Sequence, residues 1–211
     1  MLYSLGDVCS LRRRRQFGLL LVPSLLGAAL LLAYFRCPPS GCALAPDMRA
    51  LNRLKNRAAQ PAPADFDRAV TLAALLAPGD DRARWSEARA GVVEGYVVAV
   101  GAGPLECANC YAPGRRDIHV DVAARPDAPE RERLVVEVTP RWQDWARQRG
   151  WDWSAQGLAR TLVGRRCRIE GWLLFDRGHT GAAEHTNPGA AGNWRATAWE
   201  LHPVTHLEVV E

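Results

Sequence analysis

The chain has 211 residues, 48% of them hydrophobic and 24% charged, with a formal net charge of +4. That is the composition of a folded protein rather than of a disordered or collagen-like one, and its basic residues are all arginine apart from Lys55. Residues 1–90 carry 13 Lys and Arg against 7 Asp and Glu (net +6), and residues 91–211 carry 14 against 16 (net −2). This argues against nucleic-acid binding, which needs its positive charge on the folded domain where phosphates are neutralised.

Residues 1–15 form a basic N-terminus that ends in Arg12-Arg13-Arg14-Arg15, and residues 16–35 follow as twenty residues without a charge. At helical rise that length spans the hydrocarbon core of a bilayer, so a transmembrane helix is expected over 16–35. Only Arg36 follows closely, and the positive-inside bias keeps the N-terminus in the cytoplasm. The remainder is expected outside the cytoplasm, on a single-pass protein of the bacterial inner membrane. The alternative is secretion after signal-peptide cleavage. Against it, the apolar run is longer than a usual signal core, and the candidate site Ala43-Leu44-Ala45 is followed by Pro46. Cys42 follows Ser40-Gly41 as in a lipoprotein site, but Pro39 stands where an aliphatic residue is expected.

Residues 36–65, with Pro38-Pro39 and Pro61-Ala62-Pro63 around a short helix near Met48–Arg57, have the composition of a linker. A soluble domain over 66–211 begins with a helical extension predicted at 64–77, with Asp65 as N-cap and Pro78-Gly79 as its stop. Val92–Val100 is a Val-rich first strand in which Gly95 permits a bend. Ile118, Val120 and Val122 alternate with polar residues in a second strand, and Leu134, Val136 and Val138 mark a third. A helical region runs from Arg141 to Arg149, and a second piece opens at Ser154 and stops before Gly164. Arg166–Phe175 is a fourth strand, and Trp194–Val210, broken near Pro203, is the fifth.

The order β-β-β-α-β-β predicts a mainly β fold with α elements, an OB-like five-stranded barrel beyond the membrane helix. It is the order of the oligonucleotide/oligosaccharide-binding superfamily. Leu162-Val163-Gly164 leading into Arg168-Ile169-Glu170-Gly171 resembles the helix-to-fourth-strand passage of that superfamily. The segments Asp117-x-His119, Glu137-Val138-Thr139-Pro140-Arg141, Phe175-Asp176-x-x-His179 and Trp199-Glu200-x-His202-Pro203 resemble a family of uncharacterised bacterial domains of this type. The resemblance spans residues 66 to 210 and implies a fold without an activity.

All five histidines fall in the barrel region. The candidate polar site comprises His119, Glu137, Asp176, His179, His185, Glu200 and His202, with Asp117 and Asp121 on the same strand face as His119. A divalent metal or an acid/base pair at one barrel end is the sharp reading, with imidazoles as ligands and a carboxylate orienting them or activating water. No known ligand spacing such as H-E-x-x-H supports it. The plainer reading is solvated polar faces, with Glu200, His202 and His119 tying strands to loops. Glu137, flanked by valines, is expected to be buried and to need an Arg or His partner, with Arg141 and Arg195 as candidates. Cys107-x-x-Cys110 reads as a local disulfide or half a metal site, and Cys167 as a buried small hydrophobe.

Five of the eight tryptophans lie between Trp142 and Trp172 and are expected to pack between helix and barrel rather than to stack on a ligand. No phosphate loop or nucleophile motif is present. A non-catalytic binding or assembly module of the cell envelope is therefore the leading expectation, engaging an envelope protein, a glycan or a small ligand. A metal-assisted hydrolase comes second and a single-stranded nucleic-acid binder third.

Overall fold

In a computed structural model, which describes residues 37–210, the chain builds five strands: β1 (Ala90–Ala102), β2 (Ile118–Ala123), β3 (Leu134–Val138), β4 (Arg166–Phe175) and β5 (Trp199–Val209). The predicted membrane helix at 16–35 lies outside the described residues. Among those described, no helix is long and apolar enough to cross a membrane.

The alternating residues that predict β2, β3 and β4 form those strands because each has an apolar face to bury. Ile118, Val120, Val122, Leu134, Val136, Val138, Ile169 and Leu173 all enter one core. β1 is long enough to serve two neighbours. Its first half, Ala90–Tyr96, pairs antiparallel with β4, and Tyr96–Ala102 pairs antiparallel with β2 across an irregularity between Val97 and Ala99. β3 and β5 then meet in parallel through Val136 and Leu201, closing a barrel in the order β1-β2-β3-β5-β4. This closed five-stranded architecture is compatible with the OB-like order expected from the sequence. The last strand begins at Trp199 rather than Trp194 and runs through Pro203, where the His202–Pro203 peptide is cis.

Among the described residues, four short α-helices accompany the barrel: α1 (Pro46–Lys55), α2 (Leu72–Leu75), α3 (Pro140–Arg147) and α4 (Ala155–Leu162). Pro140 opens α3, where a missing N–H costs nothing, and the Ser154 hydroxyl caps α4 by accepting from the Gly157 amide at 3.0 Å. The two helices turn Trp142, Ala146, Leu158 and Leu162 into the core, each large apolar side chain contributing roughly 1.5–3 kcal/mol. Trp142, Trp145, Trp151 and Trp153 form a chain of rings with neighbouring centroids 5.1 to 6.1 Å apart, and Trp151 is the exposed member.

The extension predicted at 64–77 is not one helix. Asp65 ends a single 3-10 turn (Pro63–Asp65), and only α2 is helical, capped by the Thr71 hydroxyl. Asp67 accepts from the Ala69 amide, a local turn that competes with helix formation. Val70 and Leu72 lie against β1, where a Cβ on Gly95 would sit 2.5 Å from Leu72 Cδ2 and 2.7 Å from the Ala123 carbonyl. Close approach, as well as bending, therefore requires that glycine. The expected linker includes α1, whose Asn52, Lys55 and adjoining Asn56 are buried, and everything from Pro39 onward belongs to the same compact unit as the barrel.

Candidate metal centre

β2, β3 and β5 stand side by side, and their apolar residues point inward. His119, Glu137, Glu200 and His202 therefore project from the opposite face, the outer wall of the barrel, rather than gathering at its end. That face is not solvated. Glu200 and His202 are wholly buried and Glu137 is 1% exposed. The end of α1 helps to cover them. Lys55 Nζ pairs with Glu106 Oε2 at 3.1 Å, Asn56 donates to the Ala108 carbonyl at 2.9 Å, and Arg57 donates to the carbonyls of Leu173 at 2.7 Å and His202 at 3.3 Å.

Beneath this cover the expected site residues form a nearly continuous chain of contacts. His119 Nε2 lies 3.3 Å from Glu137 Oε1, and His202 Nδ1 lies 3.2 Å from Glu137 Oε2 and 3.6 Å from Glu200 Oε1. On its other side His202 Nε2 faces Asp117 Oδ2 at 4.0 Å. Arg195 donates to Glu200 Oε2 at 3.0 Å and lies 3.9 Å from Asp176 Oδ2, which also meets His179 Nδ1 in a short contact. His185 stands apart. It bonds Asp81 at 2.8 Å, and Asp81 also receives the Thr197 hydroxyl and, at its carbonyl, the Trp199 indole N–H.

Register explains the convergence. His119 is the cross-strand partner of Glu137, Val136 pairs with Leu201 between Glu200 and His202, and Asp117 precedes β2 by one residue on the His119 face. Arg195 is delivered by the β4–β5 loop, where its carbonyl accepts from the Glu184 amide and its guanidinium lies over the Trp194 ring at 5.1 Å.

The two central glutamates have opposite protonation preferences. Burial drives the Glu137 carboxyl well above its ordinary value, and the charge of Glu200 pushes it further in the same direction. Burial also opposes ionisation of Glu200 and is the largest single influence on it, but the Arg195 guanidinium, His202 and Lys55 together outweigh it and hold that carboxyl well below the usual range. Burial raises Asp117 and lowers His119. Lys55 loses hydration, yet Glu137, Glu106 and Glu200 more than compensate and keep its ammonium charged.

Asp117, Glu137 and His202 each offer a donor atom, all within 4.8 Å of one another. Both oxygens of Asp117, Oε2 of Glu137 and both ring nitrogens of His202 are buried without a hydrogen-bond partner in the chain. Orphaned polar atoms in such a place cost roughly 1–3 kcal/mol apiece unless something satisfies them. Once Asp117 and Glu137 are ionised, as metal ligands must be, they, Asp176 and Glu200 outnumber the permanent cations buried with them, Lys55 and Arg195, by two. A divalent cation meets both deficits. Two carboxylates and an imidazole are a donor set for zinc or manganese, with His119 on the second oxygen of Glu137 as an outer support.

Glu137 is thus buried as expected, and of the Arg or His partners foreseen the groups that face it are histidines, His119 and His202. Arg141 bonds Asn56 instead, and Arg195 serves Glu200. Asp117 enters from the strand set that includes His119, whereas Lys55 and Glu106 carry no sequence signal for the site. Cys107 and Cys110 form no disulfide with each other, against the first of the two readings of that pair: Cys37 and Cys110 are disulfide-bonded, whereas Cys107 is a free thiol, 3.0 Å from the Cys42 sulfur. The chain matches no protein-family model, no curated protein and no solved structure.

Proposed function

We propose that this chain is a membrane-anchored, extracytoplasmic binding module of the cell envelope whose barrel wall holds one divalent cation between Asp117, Glu137 and His202. The observation that carries the cation is His202, a wholly buried imidazole that faces carboxylates on both sides, Glu137 at 3.2 Å and Asp117 at 4.0 Å, with neither contact in hydrogen-bond geometry. The anchor is supported by the uncharged stretch 16–35 behind four arginines.

A structural or binding role is favoured over hydrolysis because the three donors are shut from solvent. Catalytic metals keep a position open to water and substrate, whereas structural ones are closed. Strand binding is disfavoured as well, since the β2–β3 wall and neighbouring loops where OB barrels hold oligonucleotides are here acidic and partly covered by the end of α1.

The test is elemental analysis of the detergent-purified full chain, before and after dialysis against zinc and manganese. About one equivalent is expected in the parent, with loss in His202→Ala and Asp117→Asn. A parent that stays metal-free after loading would overturn the cation. A C-terminal reporter enzyme active only in the cytosol would overturn the anchor's orientation.

A further inference from the structure

We infer that Cys42 and Cys107 are a second disulfide site, a covalent strap that fastens the segment entering α1 to the β1–β2 loop beside the proposed cation site. Their sulfur atoms are 3.0 Å apart, inside the roughly 3.5–4.0 Å at which even carbon atoms meet without bonding. Bond formation requires them to close by only about a further ångström.

The backbone holds the two cysteines together without help from the sulfurs. The Cys42 amide donates to the Cys107 carbonyl at 3.0 Å, and Asn56 donates to the carbonyls of Pro39 and Ala108 from one amide group. Asn52 ties the Ser40 carbonyl at 2.9 Å while its amide nitrogen lies 3.7 Å from Cys107 Sγ. Gly41 makes the approach feasible. It adopts φ +60°, and a Cβ there would fall 2.1 Å from the Cys107 carbonyl oxygen and 2.9 Å from Ala108 Cα. The pairing is therefore preorganised by contacts that do not involve the sulfurs.

The chemistry is thiol–disulfide exchange with the disulfide of an oxidoreductase or of a small thiol carrier. Cys42 is the exposed member and Cys107 the half-buried one, so the Cys42 thiolate attacks first and forms a mixed disulfide as one carrier sulfur leaves as a thiolate. The Cys107 thiolate then displaces the second carrier sulfur. Two protons leave the protein, and two electrons reduce the carrier disulfide to two thiols. Glu106 adjoins Cys107 and pairs with Lys55 at the end of α1, so the strap fixes the cover as well as the loop. Persistence of the bond in cells rests on the extracytoplasmic placement proposed above.

Trypsin isolates the pair cleanly, because residues 37–49 and 90–115 each form one peptide containing two cysteines. The detergent-purified full chain is reduced, reoxidised with glutathione disulfide, denatured, alkylated and digested. Neither peptide is expected to carry label. Label on Cys42 and Cys107, with Cys37 and Cys110 protected, would overturn the inference. In Cys42→Ser, Cys107 is expected to become labelled while Cys37 and Cys110 stay protected. Acid-quenched whole cells separate the two proposals: protection there supports both, whereas protection after glutathione but free thiols in cells keeps the site and overturns the compartment.

Discussion

At the scale of single residues, the wall of β2, β3 and β5 stores charge where water does not reach, and that makes its energetics asymmetric. Removing one member of a buried ion pair leaves the other uncompensated, at about 3–5 kcal/mol, whereas replacing both by apolar groups of similar volume is often neutral. Arg195→Met should therefore lower stability by about that amount, and Arg195→Met with Glu200→Leu should recover much of the loss, as read from urea midpoints at a constant slope. A second prediction concerns Glu137. Its folded carboxyl is raised above the unfolded value, so its contribution to stability is complete below the ordinary glutamate range and fades as pH climbs toward the raised value. The metal-free protein should lose stability over that window. Cation binding requires the carboxylate and displaces the proton, so affinity should rise with pH, and calorimetry in buffers of different ionisation enthalpy should register the release. A buffer-independent heat would count against Glu137 as a ligand.

At the scale of elements, the strands were the legible part. Leu134–Val138 and Arg166–Phe175 have the bounds their alternation predicts, and Ser154 caps a helix where a cap was expected. Period-two spacing also put Glu200 with His202 on one face. What it could not say was that this face is covered, because the cover comes from α1, far away in sequence and composed like a linker. The helix predicted at 64–77 failed for a related reason: Val70 and Leu72 are claimed by the barrel wall, and tertiary packing overrides local propensity. Lys55 reports on the cover directly. As the only lysine, and 8% exposed, it should resist an amine-reactive ester under native conditions and react once urea unfolds the chain, with mass spectrometry of its peptide as the readout. Native labelling as fast as that of a free lysine would mean that α1 does not stay docked.

For the molecule as a whole, a ligand that binds only the folded state stabilises it by mass action, about 2.7 kcal/mol at a hundredfold excess over Kd. Adding zinc or manganese to the chelated protein should therefore raise its Tm progressively with concentration, and Asp117→Asn should flatten that response. The parallel pairing of β3 with β5 has a separate consequence for the timing of folding. The strand that closes the barrel is the last of the five to be synthesised, and it also brings Glu200 and His202. A nascent chain that stops before Trp199 has an unsealed sheet edge and an incomplete set of donors. The barrel therefore cannot close until β5 has emerged, and a ribosome stalled before Trp199 would present chaperones and proteases with a client instead of a finished protein.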